Sequence, residues 1–95
     1  MTAKEYLRQL RRIDQHISSL MRERDELIEK RHIIITQINS LTDSRYVEIL
    51  TKRYVEYKRF KRIAREMHYS EGRIKHLHGE ALRAIQHTIA LGGVV

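Results

Sequence analysis

Lys52, Arg53, Lys58, Arg59, Lys61, Arg62 and Arg65 fall within fourteen residues near the middle of this 95-residue chain, against a single acid, Glu56. Cations at this density suit a polyanion, because each ammonium or guanidinium can neutralise a phosphate and release its condensed counterion. Just beyond them, Glu71, Gly72, Arg73, Lys75, His76 and Gly79 take the outward positions at the start of a segment with helical periodicity. Such a face can read base edges in a major groove. Arg or Lys donates to guanine O6 and N7, a carboxylate accepts from cytosine N4, and a glycine lets the backbone come close. The competing reading of both groups is a solvated, charged surface.

Other chemistries find less support. The chain has no cysteine, hence no disulfide, thiolate nucleophile or cysteine zinc site, which fits a reducing compartment. His76 and His78 are two apart and point to different helix faces, so no metal site and no cofactor is expected; His78 instead should pack or hydrogen-bond between helices. No Gly-rich phosphate loop or nucleophile–base pair stands out, so the chain is not read as an enzyme. Tyr46, Tyr54, Tyr57 and Tyr69 lie near core positions and are expected to pack rather than to stack on bases. A formal charge of +7 implies an anionic partner, nucleic acid ahead of a membrane surface. The longest aliphatic run, Ile33-Ile34-Ile35, is far short of the ~20 residues of a membrane span, so no membrane association and a cytoplasmic location are expected.

The elements that position these residues should all be helices, since the chain lacks proline and carries its four glycines at position 72 or beyond. Over residues 1–41 apolar side chains recur at alternating steps of three and four, which predicts one long coiled-coil-like helix of about 60 Å. Its upper half is expected to pair between chains as a homo-oligomer, with Leu10, Ile13, Ile17, Leu20 and Leu27 of the seam as the oligomerisation residues, and the competing reading is a helix folded along its own domain. Its lower half, Leu27 to Leu41, is expected to dock partly on the C-terminal half of the chain or in a multi-helix bundle. Arg24 and Arg31 interrupt the seam and either reach acids of a partner or extend to water. Thr42 as N-cap, followed by Asp43 as an acid in the first turn, predicts a helix start, and residues 42–90 are read as a second domain with residues 91–95 as a flexible tail. Within that domain Phe60, Ile63, Met67, Tyr69, Ile74 and Leu77 sit at the offsets of a helix-turn-helix. Ala64 is the small residue at the crossing, and Ser70 caps the second helix.

Three ordered motifs carry a resemblance: Ile49-Leu50-Thr51-Lys52-Arg53-Tyr54-Val55, then Phe60-Lys61-Arg62-Ile63-Ala64-Arg65-Glu66-Met67-His68-Tyr69-Ser70, then His78-Gly79-Glu80-Ala81-Leu82. Together they resemble the C-terminal, promoter-reading (fourth) region of sigma factors, most closely the version in phage late-gene transcriptional regulators of the RinA/ArpU type. The resemblance implies a sigma-like helix-turn-helix behind the long helix. It also implies double-stranded DNA as partner, host RNA polymerase as a further candidate, and a host-cell cytoplasmic setting. Among the outward residues it implies that Lys75 and His76 read bases, with Glu71 and Gly72 beside them, and that Arg73 meets a phosphate. Lys58, Arg59, Lys61 and Arg62 precede and open the first helix of the motif, where phosphate contact is expected. Two departures stand out: His68 occupies a turn position where the fold usually has glycine, and Gly72 replaces a base-contacting acid. The expected function is a promoter- or operator-reading regulator. The alternative is a helical interaction protein that binds or inhibits a host or phage protein through its N-terminal helix.

Overall fold

The computed structural model describes residues 1–16 and 21–91. In chain order these form α1 (Ala3–His16), α2 (Met21–Asn39), α3 (Ser44–Leu50), a π-helical turn (Thr51–Val55), α4 (Phe60–Met67) and α5 (Glu71–Ala90). The all-helical expectation holds across the described residues.

The single 60 Å rod does not form. The Tyr6 hydroxyl near the start of α1 donates to Gln37 Oε1 near the end of α2 (2.5 Å), and Arg31 Nε donates to Asp14 Oδ1 (2.8 Å). These two pairs run in opposite order along the chain, so α2 lies antiparallel to α1, and the longest dimension of the molecule is only 43 Å. The partner helix that the apolar seam requires is the other half of the same chain. Leu10 and Ile13, expected at an interface between chains, are buried in this chain's core, and Leu27 is packed against its edge. Ile17 and Leu20 lie outside the described residues. Arg31, expected to reach another chain's acid or water, pairs with Asp14 of its own.

Two apolar clusters result. The larger joins Ala3, Leu7, Leu10 and Ile13 of α1, Ile34 and Ile38 of α2, Leu50 and Tyr54, and Ala81 and Ile85 of α5. Both halves of the N-terminal segment therefore seat on the rest of the chain, not the lower half alone. The smaller cluster, Ile49, Ile63, Ala64, Ile74 and Leu77, lies between α3, α4 and the first half of α5 and sets the angle of the α4–α5 pair. Closing each Leu or Ile into such clusters contributes about 1.5–3 kcal/mol before chain entropy is counted.

Asp43, not Thr42, caps α3: its carboxylate accepts from the Arg45 backbone N–H (2.9 Å) and pairs with the Arg45 guanidinium (2.8 Å). The α3 helix then widens into the π-helical turn, where Glu56 N–H donates to Thr51 O (3.0 Å) and Lys58 N–H to Lys52 O (2.9 Å). Tyr57 comes next at φ 58°, a left-handed conformation that is costly for a bulky side chain.

Candidate nucleic-acid interface

The α4–α5 pair is built as the apolar offsets require. Ile63 and Ala64 of α4 and Ile74 and Leu77 of α5 are buried against each other, and the turn between the helices is three residues, His68, Tyr69 and Ser70. His68 ends α4 at φ 61°, ψ 38°, so the turn position that usually carries glycine takes the left-handed backbone with a side chain present. Its N–H and that of Tyr69 both return to Ala64 O, which satisfies a carbonyl the helix end would leave open. Ser70 then caps α5 by accepting from the Arg73 N–H (3.1 Å).

With Ile74, Leu77 and His78 turned inward, the opposite side of α5 presents Glu71, Gly72, Arg73, Lys75 and His76 to solvent. Lys75 and His76 keep 61% and 62% side-chain exposure, more than the 50% of Glu71. Lys75 Nζ is 3.9 Å from Glu71 Oε1, a loose exposed pair that a base edge can replace at little cost. His76 is held more firmly: its Nε2 is 2.9 Å from Glu80 Oε1, and Glu80 Oε2 accepts the Tyr46 hydroxyl of α3 (2.9 Å). A Cβ added at Gly72 would meet nothing within 4 Å, so that stretch of α5 backbone faces open space.

The expected phosphate contacts fall into two groups. Arg59 and Lys61 are exposed at the start of α4 and form no ion pair among the described residues, and Arg73 stands exposed in the first turn of α5. No side chain caps α4, so its first N–H groups add to this positive corner. Lys58 and Arg62 are instead drawn to Glu66. Lys52 Nζ (2.7 Å) and Lys58 Nζ (2.8 Å) share Glu66 Oε1, Arg62 Nε (3.0 Å) takes Oε2, and Lys58 also meets Glu56 (2.6 Å). Hydrogen bonds from Lys52 and Lys58, and then from Arg62, hold the Glu66 carboxyl at about 2. Lys58, only 17% exposed, fastens the loop to α4, whereas Arg62 keeps 64% exposure and can still reach outward.

Glu66 does not stand out in the sequence because it lies one residue past the basic run. Only its i,i+4 spacing from Arg62 is legible there, while Lys52 and Lys58 reach it through the turn. His78 does pack between helices. It is buried, its Nε2 is 2.8 Å from the Tyr54 hydroxyl, and it meets the Phe60 ring edge-on at 4.9 Å. Of the four tyrosines, Tyr54 is buried and Tyr46 partly so, but Tyr57 and Tyr69 are more than one-third exposed.

The geometry offers a short cationic track leading to an exposed, capped helix start that carries donors, one acceptor and a bare backbone. The family described as sigma-70, region 4 matches residues 39–87, from the end of α2 through most of α5. No curated protein and no solved structure matches the chain.

Proposed function

Because this chain belongs to the sigma-70 region 4 family, we propose that it is a DNA-binding transcription regulator that lays the start of α5 in a major groove. Arg59, Lys61 and Arg73 meet phosphates and fix register, while Lys75 and His76, with Glu71 and the backbone at Gly72, read base edges. This is a binding role and not an enzymatic one. The observation that carries it is the open row of Glu71, Gly72, Lys75 and His76 on a helix start held at a set angle by the Ile63–Ile74–Leu77 core.

Within that reading the resemblance of the three motifs to phage late-gene regulators favours a phage-encoded protein acting at a promoter in the host cytoplasm, with host RNA polymerase as a further partner. The competing role, an interaction protein working through its N-terminal helix, is weakened because Leu7, Leu10 and Ile13 of α1 are turned into the chain's own core. No helix among the described residues is long and apolar enough to cross a membrane. The same burial takes Leu10 and Ile13 out of the seam first expected for a homo-oligomer.

Fluorescence anisotropy with labelled duplex DNA tests the proposal. Affinity should fall steeply between about 50 and 200 mM salt, and Arg59→Ala and Lys61→Ala should each reduce the log–log slope by about 0.9 on every sequence. A protein that fails to bind duplex DNA at the low-salt end would refute it.

A further inference from the structure

Positive charge also converges away from the α4–α5 face, on α1. Lys4, Arg8 and Arg11 succeed one another at steps of four and three, which places them on one helical stripe beside the buried stripe of Ala3, Leu7 and Leu10. The buried stripe seats α1 against Tyr54, so Arg8 and Arg11 come to face Arg53 of the π-helical turn. These three arginines line a cleft of about 110 Å³, and Tyr54 and Tyr57 form the rest of its wall.

The three guanidinium groups form no ion pair among the described residues. Arg53 is fixed by donating from Nη1 to Lys58 O (3.0 Å) and by lying 4.5 Å from the centre of the Phe60 ring. Arg11 lies 5.1 Å over the Tyr57 ring. Of the acids on α1 near this stripe, Asp14 is already engaged by Arg31 and by the Tyr57 hydroxyl. Burial, with Asp14 beside it, pushes the Tyr57 phenol up to about 12, so it remains protonated, and its left-handed backbone keeps the ring in the wall. Grouping three cations around one concavity costs Coulomb repulsion that Glu5 and Asp14, each one turn away along α1 and neither in an ion pair with these arginines, offset only in part, and a bound anion would reverse its sign. Arginine forks match tetrahedral oxyanions, and a cleft of about 110 Å³ has room for one such group.

We propose that this cleft is a binding site for a phosphate-class oxyanion, with Arg8, Arg11 and Arg53 as its ligands. The oxyanion is either a backbone phosphodiester of DNA running past the loop before α4 or the phosphate group of a free small molecule. The site stands on α1 and the π-helical turn and is independent of base reading by α5.

The test is an NMR titration of the ¹⁵N-labelled full-length chain with inorganic phosphate at constant ionic strength, following the arginine Nε–H signals. Arg8, Arg11 and Arg53 should shift along one saturable curve. Arg8→Gln and Arg53→Gln should each weaken it about tenfold, the loss of one charge-assisted bond, whereas Lys30→Gln, a charge removed from exposed α2, should leave it unchanged. If Arg53→Gln loosens the loop it holds through Lys58 O, the exposed Arg8 carries the test. Repeating the titration with saturating duplex separates the sources: competition assigns the cleft to a backbone phosphodiester, and undiminished phosphate binding assigns it to a free ligand. Shifts that rise without saturating, or an equal loss from Lys30→Gln, overturn the proposal. The first titration contains no DNA, so a failure to bind DNA and a failure of this site are read separately.

Discussion

His76 and Glu80 pair across one turn of α5 at 2.9 Å, and the Tyr46 hydroxyl holds the far oxygen of Glu80 at the same distance. The Tyr46 hydrogen bond, with His76 nearby, keeps the Glu80 carboxyl below the usual carboxylate range despite partial burial. An exposed side chain thereby acquires a fixed orientation from a neighbouring helix. His76→Ala should lose about 1–3 kcal/mol of discrimination at a few base pairs. Tyr46→Phe should lose part of it with no change in salt slope, because no charge is removed. Competition between matched and single-mismatch duplexes measures both. Equal discrimination in wild type and Tyr46→Phe would show that Glu80 does not position His76.

Gly72 should separate stability from binding. It sits in the first turn of α5, where a methyl group meets nothing within 4 Å, so Gly72→Ala should stabilise the helix by up to about 1 kcal/mol. The same methyl group would stand between the backbone and the DNA if that backbone approaches closely. The expected outcome is a higher Tm together with weaker DNA binding. A variant that gains stability and binds as well as wild type would place Gly72 outside the interface.

Acid should destabilise the fold in two separable windows. Burial, assisted by the cations Arg53 and Lys4, pushes His78 down to about 4 from its ordinary 6.5. The fold therefore holds the neutral ring, and its contribution is complete above pH 6.5 and lost as the pH falls towards 4. Glu66, held at about 2 against an ordinary 4.5, contributes fully above 4.5 and loses that contribution only as the pH falls towards 2. Thermal melts monitored by circular dichroism, from neutral pH to about 3, should show His78→Phe flattening the upper window and Glu66→Gln the lower one. A His78→Phe protein whose Tm falls through the upper window as steeply as wild type would contradict the assignment.

Much of the α4–α5 unit is legible from residue types alone. Ser70 has to cap, Ala64 has to sit at a crossing, and His68 has to go left-handed, because each obeys local backbone rules. The antiparallel hairpin is not legible, because a heptad seam specifies that a helix needs a partner and leaves open whether that partner is another chain or the same one. The weak helix formers Ser18-Ser19, midway along the seam, are the available signal against one rod. Long-range gatherings such as Lys52 and Lys58 on Glu66, or Arg8 and Arg11 facing Arg53, depend on how α1 and the π-helical turn pack, which no spacing records.

The hairpin has its own consequence. Leu10 is 1% exposed and Ile13 4%, so Leu10→Ala should cost about 2–5 kcal/mol of unfolding free energy, as a cavity in one chain's core does. Sedimentation equilibrium with urea denaturation distinguishes this from an interface between chains. The expected result is a loss of stability that does not depend on protein concentration. A loss that is recovered at higher concentration would restore the seam between chains.

Selection from a randomised duplex pool, run in parallel with wild type and Lys75→Ala, bears most directly on the reading of DNA by α5. Wild type should enrich a short motif, and Lys75→Ala should relax it at one or two adjacent positions, each by about 1–3 kcal/mol, while retaining the same salt dependence apart from its single lost charge. An unenriched wild-type pool, or an identical motif from the variant, would contradict base reading by this helix.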